Sequence, residues 1–121
     1  MKNIVWTRID DRLVHGQVMT LWVQQTSATE VVIVDDAVAK DAFIQMIMKS
    51  SMPARISLKV FGLADAVDYL NGEDDGKRVL ILVKTPGTLV SLTDAGIPLE
   101  SVNVGGIGAK AGRKTLYKNI S

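Results

Sequence analysis

The chain contains no cysteine and only one histidine among its 121 residues. Without thiols, disulfide scaffolds, thiolate zinc sites and cysteine nucleophiles are excluded, and the absence fits a reducing compartment. A single imidazole likewise excludes a histidine metal cluster. Net charge is almost absent: 14 Lys and Arg against 13 Asp and Glu leave a formal +1. The basic residues are spread along the chain, so nothing in it predicts a nucleic-acid partner or an anionic membrane surface. Long apolar runs are missing too. The longest, VVIV and VLILV, fall far short of the ~20 residues that span a bilayer, and Arg8 interrupts MKNIVWTRIDDR before a signal-peptide core can form. These features predict a soluble, cytoplasmic protein. Hydrophobic residues make up 47%. A chain of this length buries roughly 65% of its unfolded surface, enough for one core and one domain over residues 1–121.

Short β-branched runs alternate with longer amphipathic ones: IVWTRI, GQVMTLWVQQ, VVIVDD, DAFIQMIMKSS, ISLKVF, LADAVDYLNG, VLILVK, PGTLVSLTDAG and SVNVGG. That alternation predicts strands joined by crossover helices. VVIV and VLILV lack the two-residue period of a half-exposed strand, as strands covered on both faces do. The expected fold is an open, mostly parallel twisted α/β sheet with helices on both faces. Punctuation agrees: Pro53 closes the second helix, Gly72 follows the third, Pro86 sits in the first turn of the fourth and Gly96 ends it. NGEDDGKR, residues 71–78, lacks the spacing and terminal glutamate of an EF-hand loop and reads as a solvated loop. One more strand is expected around residues 116–120, with no helix after it to cover it.

In such sheets ligands bind beyond the carboxyl ends of the strands. Those ends are predicted at Asp10 to His15, at Asp35 and Asp36, at Phe61 and Gly62, at Lys84 and Thr85, and at Gly105 and Gly106. His15 falls in RIDDRLVHGQV, among two aspartates and two arginines, immediately before Gly16 and a helix beginning near Gln17. The free amides of Gln17, Val18 and Met19 and the positive helix end would make an anion site there. An imidazole so placed is suited to carry a phosphoryl group: one ring nitrogen attacks, Arg8 or Arg12 pairs with phosphate oxygens, and Asp10 or Asp11 accepts the other ring N–H. The bland alternative is a surface histidine in a polar loop whose aspartates cap the helix. The residues alone leave both open.

Three further features compete for attention. Paired Asp35 and Asp36, with Lys84 and Thr85, suggest a magnesium-binding receiver domain, but a receiver carries its acid pair after the first strand and its phosphoacceptor after the third. The two aspartates are instead expected to cap the second helix or line the cleft rim. GGIGAKAGRK, residues 105–114, holds Gly106, Gly108 and Ala111 in a G-x-G-x-x-A spacing, a dinucleotide signal only when it follows the first strand. Near Lys110 and Arg113 it reads either as an anion nest or as a tight turn. It also sustains a different reading of the whole chain, a non-catalytic nucleotide-binding module or regulator. Finally, residues 16–29 carry no charge. Val18, Leu21, Trp22 and Gln25 are expected to form one helical stripe and Met19 with Val23 a second apolar face, which either packs inside the domain or docks a partner approaching the histidine.

RIDDRLVHGQV, followed by VVIVDDAVAKD and later by SVNVGG with a G-x-K near Gly112, closely resembles the B subunit (enzyme IIB) of the mannose/fructose/sorbose family of the bacterial phosphoenolpyruvate-dependent sugar phosphotransferase system. The likeness spans essentially the whole chain, and the I-D-D-R-L-[IV]-H-G-Q-V block is its most specific part. The resemblance implies an open, mostly parallel sheet and a transferase activity, protein-N-phosphohistidine–sugar phosphotransferase. It also implies a cytoplasmic carrier associated peripherally with the membrane permease. His15 would take a phosphoryl group from the phosphohistidine of the IIA subunit and pass it to a hexose-type sugar entering through the IIC and IID subunits. Arg12 would help hold the phosphoryl group and Asp10 would lie close to the histidine, whose δ1 nitrogen the resemblance favours. Arg8, Gly16, Gln17 and Val18 are expected around the phosphate, with Lys84, Thr85, Gly105, Gly106 and Lys110 as second-loop contacts. No metal and no cofactor beyond the covalent phosphohistidine are expected.

Two departures carry expectations of their own. Family members continue for roughly one more helix and strand, about a quarter of a domain of this class, beyond the point matched by Ser121. A shortened C-terminus is expected to leave an apolar edge or face, inviting a homo-oligomer or lower stability. GGIGAKAGRK also differs from the family near Ile107 and Ala109, which is expected to alter what Lys110 and Arg113 touch.

Overall fold

Two uninterrupted apolar runs set the architecture, because strands with no polar face need cover on both sides. EVVIV forms β2 (Glu30–Val34) and RVLILV forms β4 (Arg78–Val83), neighbours at the middle of the sheet. Around them lie β1 (Asn3–Ile9), α1 (Val18–Thr26), α2 (Asp36–Ala39), α3 (Ala42–Ser50), β3 (Ser57–Phe61), α4 (Leu63–Asn71), α5 (Pro86–Asp94) and β5 (Asn103–Val104). The computed structural model describes residues 1–10, 13, 18–99 and 102–104, giving only the backbone of residues 18–20, 103 and 104. The strand order is β3-β2-β4-β1-β5 and every pairing is parallel. The strand expected near residues 116–120 lies outside the described residues.

Alternate strand residues feed two cores. On one face Val32, Val34, Ile81 and Val83 meet Ala66 and Leu70 of α4 and Leu89 and Leu92 of α5. On the other, Ile33, Leu80 and Leu82 meet Trp22 and Val23 of α1, Val38 of α2 and Met48 of α3. The chain therefore moves outward from β1 to β3 beneath one helical layer, then returns through β4 to β5 beneath the other, as uniformly right-handed crossovers require.

The predicted helices are present, with one addition and one correction. Asp35 and Asp41 each cap a separate helix: Asp35 Oδ1 accepts from the Val38 N–H at 3.0 Å and Asp41 Oδ1 from Ile44 at 3.1 Å. Two caps so close together split off the four-residue α2, too short to show helical periodicity. In α1 the buried stripe is Trp22 and Val23, whereas Leu21 and Gln25 are exposed. Trp22 turns toward Trp6 and Arg8 of β1, and this rotates the expected stripe by one residue and places Val23 in the domain core rather than on a docking face.

Asp36 does not cap its own helix. Its Oδ1 accepts the Leu63 N–H at 2.8 Å and so caps α4, whose N-cap residue Gly62 offers no side chain. The glycine is required by proximity, since a Cβ there would stand 2.7 Å from Asp36 Oδ1. At the opposite edge of the sheet Glu30, fully buried at the start of β2, accepts hydrogen bonds from the Tyr69 hydroxyl and, at 3.1 Å, from Lys77 Nζ. Lys2 lies over the Tyr69 ring and pairs with Asp75 at 3.3 Å, closing a network that ties β1, β2, α4 and the 71–78 loop together. Burial, then the hydrogen bond to Glu30, pushes the Tyr69 hydroxyl pKa up, and the Glu30 carboxylate raises that of Lys77.

Gly62→Ala is expected to lower stability by about 1 kcal/mol, the size of one lost cap, and to cost no more when Asp36→Ala already removes the carboxylate; urea unfolding of the single and double variants tests this. Tyr69→Phe is expected to lose about 1–3 kcal/mol at neutral pH by removing a partner of a buried carboxylate. Because the Tyr69 and Lys77 pKa values are raised in the fold, their contribution is complete below their ordinary values and fades as pH climbs past about 10. Unfolding curves between about pH 9 and 11 should therefore fall less steeply for Tyr69→Phe than for the wild type.

Candidate functional site at the carboxyl ends of the strands

The parallel registers bring the strand ends into one row: Phe61 beside Val34, Val34 beside Val83, Val83 beside Ile9, and Ile9 beside Val104. In that row the chains leaving β4 and β1 part to opposite faces of the sheet, as those leaving β4 and β2 also do. The chain leaving β1 runs over one face toward β2, and the chain leaving β4 runs over the other toward β5. Their loops separate and leave a crevice, the topological switch point at which open α/β sheets bind ligands. The two strands stay bonded up to its floor, where the Asp10 N–H donates to the Val83 carbonyl at 2.9 Å.

Asp10 is fully buried at this point. Trp6, Arg8 and Asp10 alternate along one face of β1, the face that α1 covers, so Arg8 reaches both Asp10 and α1. Arg8 Nε lies 3.5 Å from Asp10 Oδ2, and the guanidinium carbon stands 4.1 Å from the centre of the Trp22 ring. Leu13 is fixed as well. Its N–H donates to the Asp10 carbonyl at 3.0 Å, its φ of 55° is left-handed, and its side chain is buried in the α1-side core. A non-glycine residue held in that region is strained and persists only where its surroundings demand it. The turn leaving β1 is thus pinned by backbone, ion pair and core contact.

Other predicted residues fall on the same edge. Lys84 and Thr85 follow β4 and are exposed, and Thr85 is the N-cap residue of α5, with its hydroxyl 3.2 Å from that of Thr88. Val18 opens α1. Asp35 and Asp36 face Thr85, Thr88 and Ser91 across a cleft of about 390 Å³ between α2 and α5, so they line the rim as well as capping helices. Arg12, His15, Gly16, Gln17, Gly105, Gly106, Lys110 and Arg113 lie outside the described residues. Two contributors escaped the sequence reading. Leu13 carries no sequence mark of its φ, and Trp22 was placed on an apolar stripe without its partner on β1. The receiver-domain reading is overturned by the strand order, which is 3-2-4-1-5 rather than 2-1-3-4-5. Among the described residues no helix is long and apolar enough to cross a membrane.

Comparison with known proteins follows the same geometry. The family model of the PTS system sorbose subfamily IIB component matches residues 4–121. The fructose-specific EIIB component of Bacillus subtilis (strain 168) is 32% identical over 122 residues, covering 100% of this chain and 75% of that protein. The mannose-specific EIIAB component of Escherichia coli (strain K12) is 33% identical over 115 residues, 94% of this chain but 36% of that longer protein. The crystal structure of manxB from Thermoanaerobacter tengcongensis superposes with a TM-score of 0.82 at 36% identity, over 89% of this chain and 66% of that one. The chain thus spans about three quarters of the first of these relatives and about two thirds of the solved structure. With its strand row, switch point and sequence block all in agreement, the chain belongs to the sorbose subfamily of phosphotransferase-system IIB components.

Proposed function

We propose that the chain is the phosphocarrier of a sugar-transporting phosphotransferase system, and that His15 is its phosphoryl acceptor and donor. The observation that carries this reading is the buried Asp10, paired with Arg8 at the β1/β4 switch point, at the start of the segment that holds His15 in a chain of the IIB family. A ring nitrogen of His15 attacks the phosphorus of a phosphohistidine on a IIA subunit or domain. The donor N–P bond breaks as the new one forms, and the donor imidazole leaves neutral. Asp10 accepts the other ring N–H, fixing the tautomer that leaves the attacking nitrogen bare. Arg12 and the amides of Gly16, Gln17 and Val18 hold the equatorial oxygens, and Lys84 and Thr85, with Gly105, Gly106 and Lys110, close the crevice from its other side.

In the second half-reaction a sugar hydroxyl attacks the phosphorus, the N–P bond to His15 breaks, and the imidazole departs with that nitrogen bare, as it began, while the hydroxyl proton passes to solvent. Fixed positive charge and oriented N–H groups suffice for such a transfer, so the reading calls for no metal and no cofactor. The partners are IIA, as donor, and membrane IIC and IID subunits that present a hexose-type sugar, which places the chain in the cytoplasm beside the permease. A relative in which A and B parts share one name, EIIAB, supports a direct A-to-B encounter. Fructose- and mannose-specific relatives are equally distant at 32% and 33% identity, so identity does not select the sugar.

Incubation with phosphoenolpyruvate, the general phosphotransferase proteins and IIA should add the mass of one phosphoryl group, labile in acid and stable in base. His15→Gln should accept none, and an adduct persisting in that variant would move the acceptor elsewhere and sink the reading. Arg12→Gln should still be labelled, with transfer slowed by about 10²–10³-fold, as when one preorganised charge-stabilising donor is removed. Rapid-quench labelling measures that ratio.

A further inference from the structure

We propose that Trp22 and Arg8 are positioning residues that together hold Asp10 in place for the histidine. The inference rests on the reading of His15 given above. A fully buried carboxylate needs a compensating charge. Arg8 supplies it, with a side chain only 14% exposed. The Nε to Oδ2 contact spans 3.5 Å, and the indole of Trp22 adds a second constraint on the guanidinium. The guanidinium carbon lies 4.1 Å from the Trp22 ring centre and 5.9 Å from that of Trp6, while the two rings are tilted at 58° with centres 6.1 Å apart. Trp22 is buried in the α1-side core, so its ring is an immobile plate against which Arg8 is laid.

The arrangement orders the parts by necessity. β1 places Trp6, Arg8 and Asp10 on one face, α1 brings Trp22 down onto the middle one, and the positive charge is pressed toward Asp10.

The test is a double-variant cycle on phosphoryl transfer from phosphorylated IIA to the full chain, with kcat and KM for the donor measured separately. Trp22→Leu should lower kcat by about tenfold with KM unchanged, and Trp22→Phe, which keeps a flat ring, should stay within about threefold of wild type. Arg8→Lys keeps the charge, loses the stack, leaves the indole in the core and should show the same kcat loss without endangering the fold. In the Arg8→Lys background Trp22→Leu should then cost less than about twofold more. Additive losses, equal losses for Phe and Leu, or a raised KM with intact kcat in Arg8→Lys would each overturn the proposal. A folded wild type that takes no label overturns the reading of His15 instead, and a labelled wild type beside a full-rate Arg8→Lys overturns the clamp alone.

Discussion

All five strands among the described residues run in the same direction, and the two ends of the sheet differ because of it. A parallel sheet cannot be closed by hairpins; each connection must cross a face and return, so every strand enters at one edge and leaves at the other. The aligned registers keep Phe61, Val34, Val83, Ile9 and Val104 level, and the loops that follow them share one edge. With α1 and α2 on one face and α5 on the other, the chain leaving β4 diverges from those leaving its neighbours β1 and β2. The crevice between β4 and β1 follows from the path of the chain before any side chain is considered.

Each end of the sheet buries an acid, and the two are held in different ways. Glu30, at the entry edge, is bonded by a tyrosine hydroxyl from α4 and a lysine from the 71–78 loop. These are directional contacts within the network that also takes in Lys2 and Asp75, and they lock the N-terminal edge. Asp10, at the exit edge, faces the Arg8 guanidinium, which lies against the Trp22 ring.

The fold was legible because its signals are local and repeated. VVIV and VLILV announced buried strands, and Pro86 and Gly96, the latter at φ 93°, marked where α5 starts and where the chain turns after it. What stayed hidden depends on tertiary placement. α2 is a single turn made by one aspartate cap, and nothing in DAVA shows a period. Asp36 looked like a cap for the helix it begins but serves α4, 27 residues away, because β2 and β3 end side by side. The stripe on α1 was misjudged by one residue since its rotation is set by a tryptophan finding an arginine on another element. At the site, the identity of Asp10 was readable, whereas its complete burial and the role of Trp22 were not. His15, the acceptor proposed above, was legible only as a residue type in a motif.

Leu13 shows how the loop is bound to the stability of the whole. A left-handed leucine costs on the order of 1 kcal/mol in backbone strain, while burying its side chain returns roughly 1.5–3 kcal/mol. The side chain lies in the same core as Trp22, Val23 and Leu82, so the contacts that fix α1 on the sheet also force the turn after Asp10 into its strained shape. Shape at the switch point is therefore a property of core packing. A substitution that loosens α1 reaches the end of β1 through Leu13 and through the Trp22 plate together, two points among the described residues at which the α1-side core meets the turn and the ion pair.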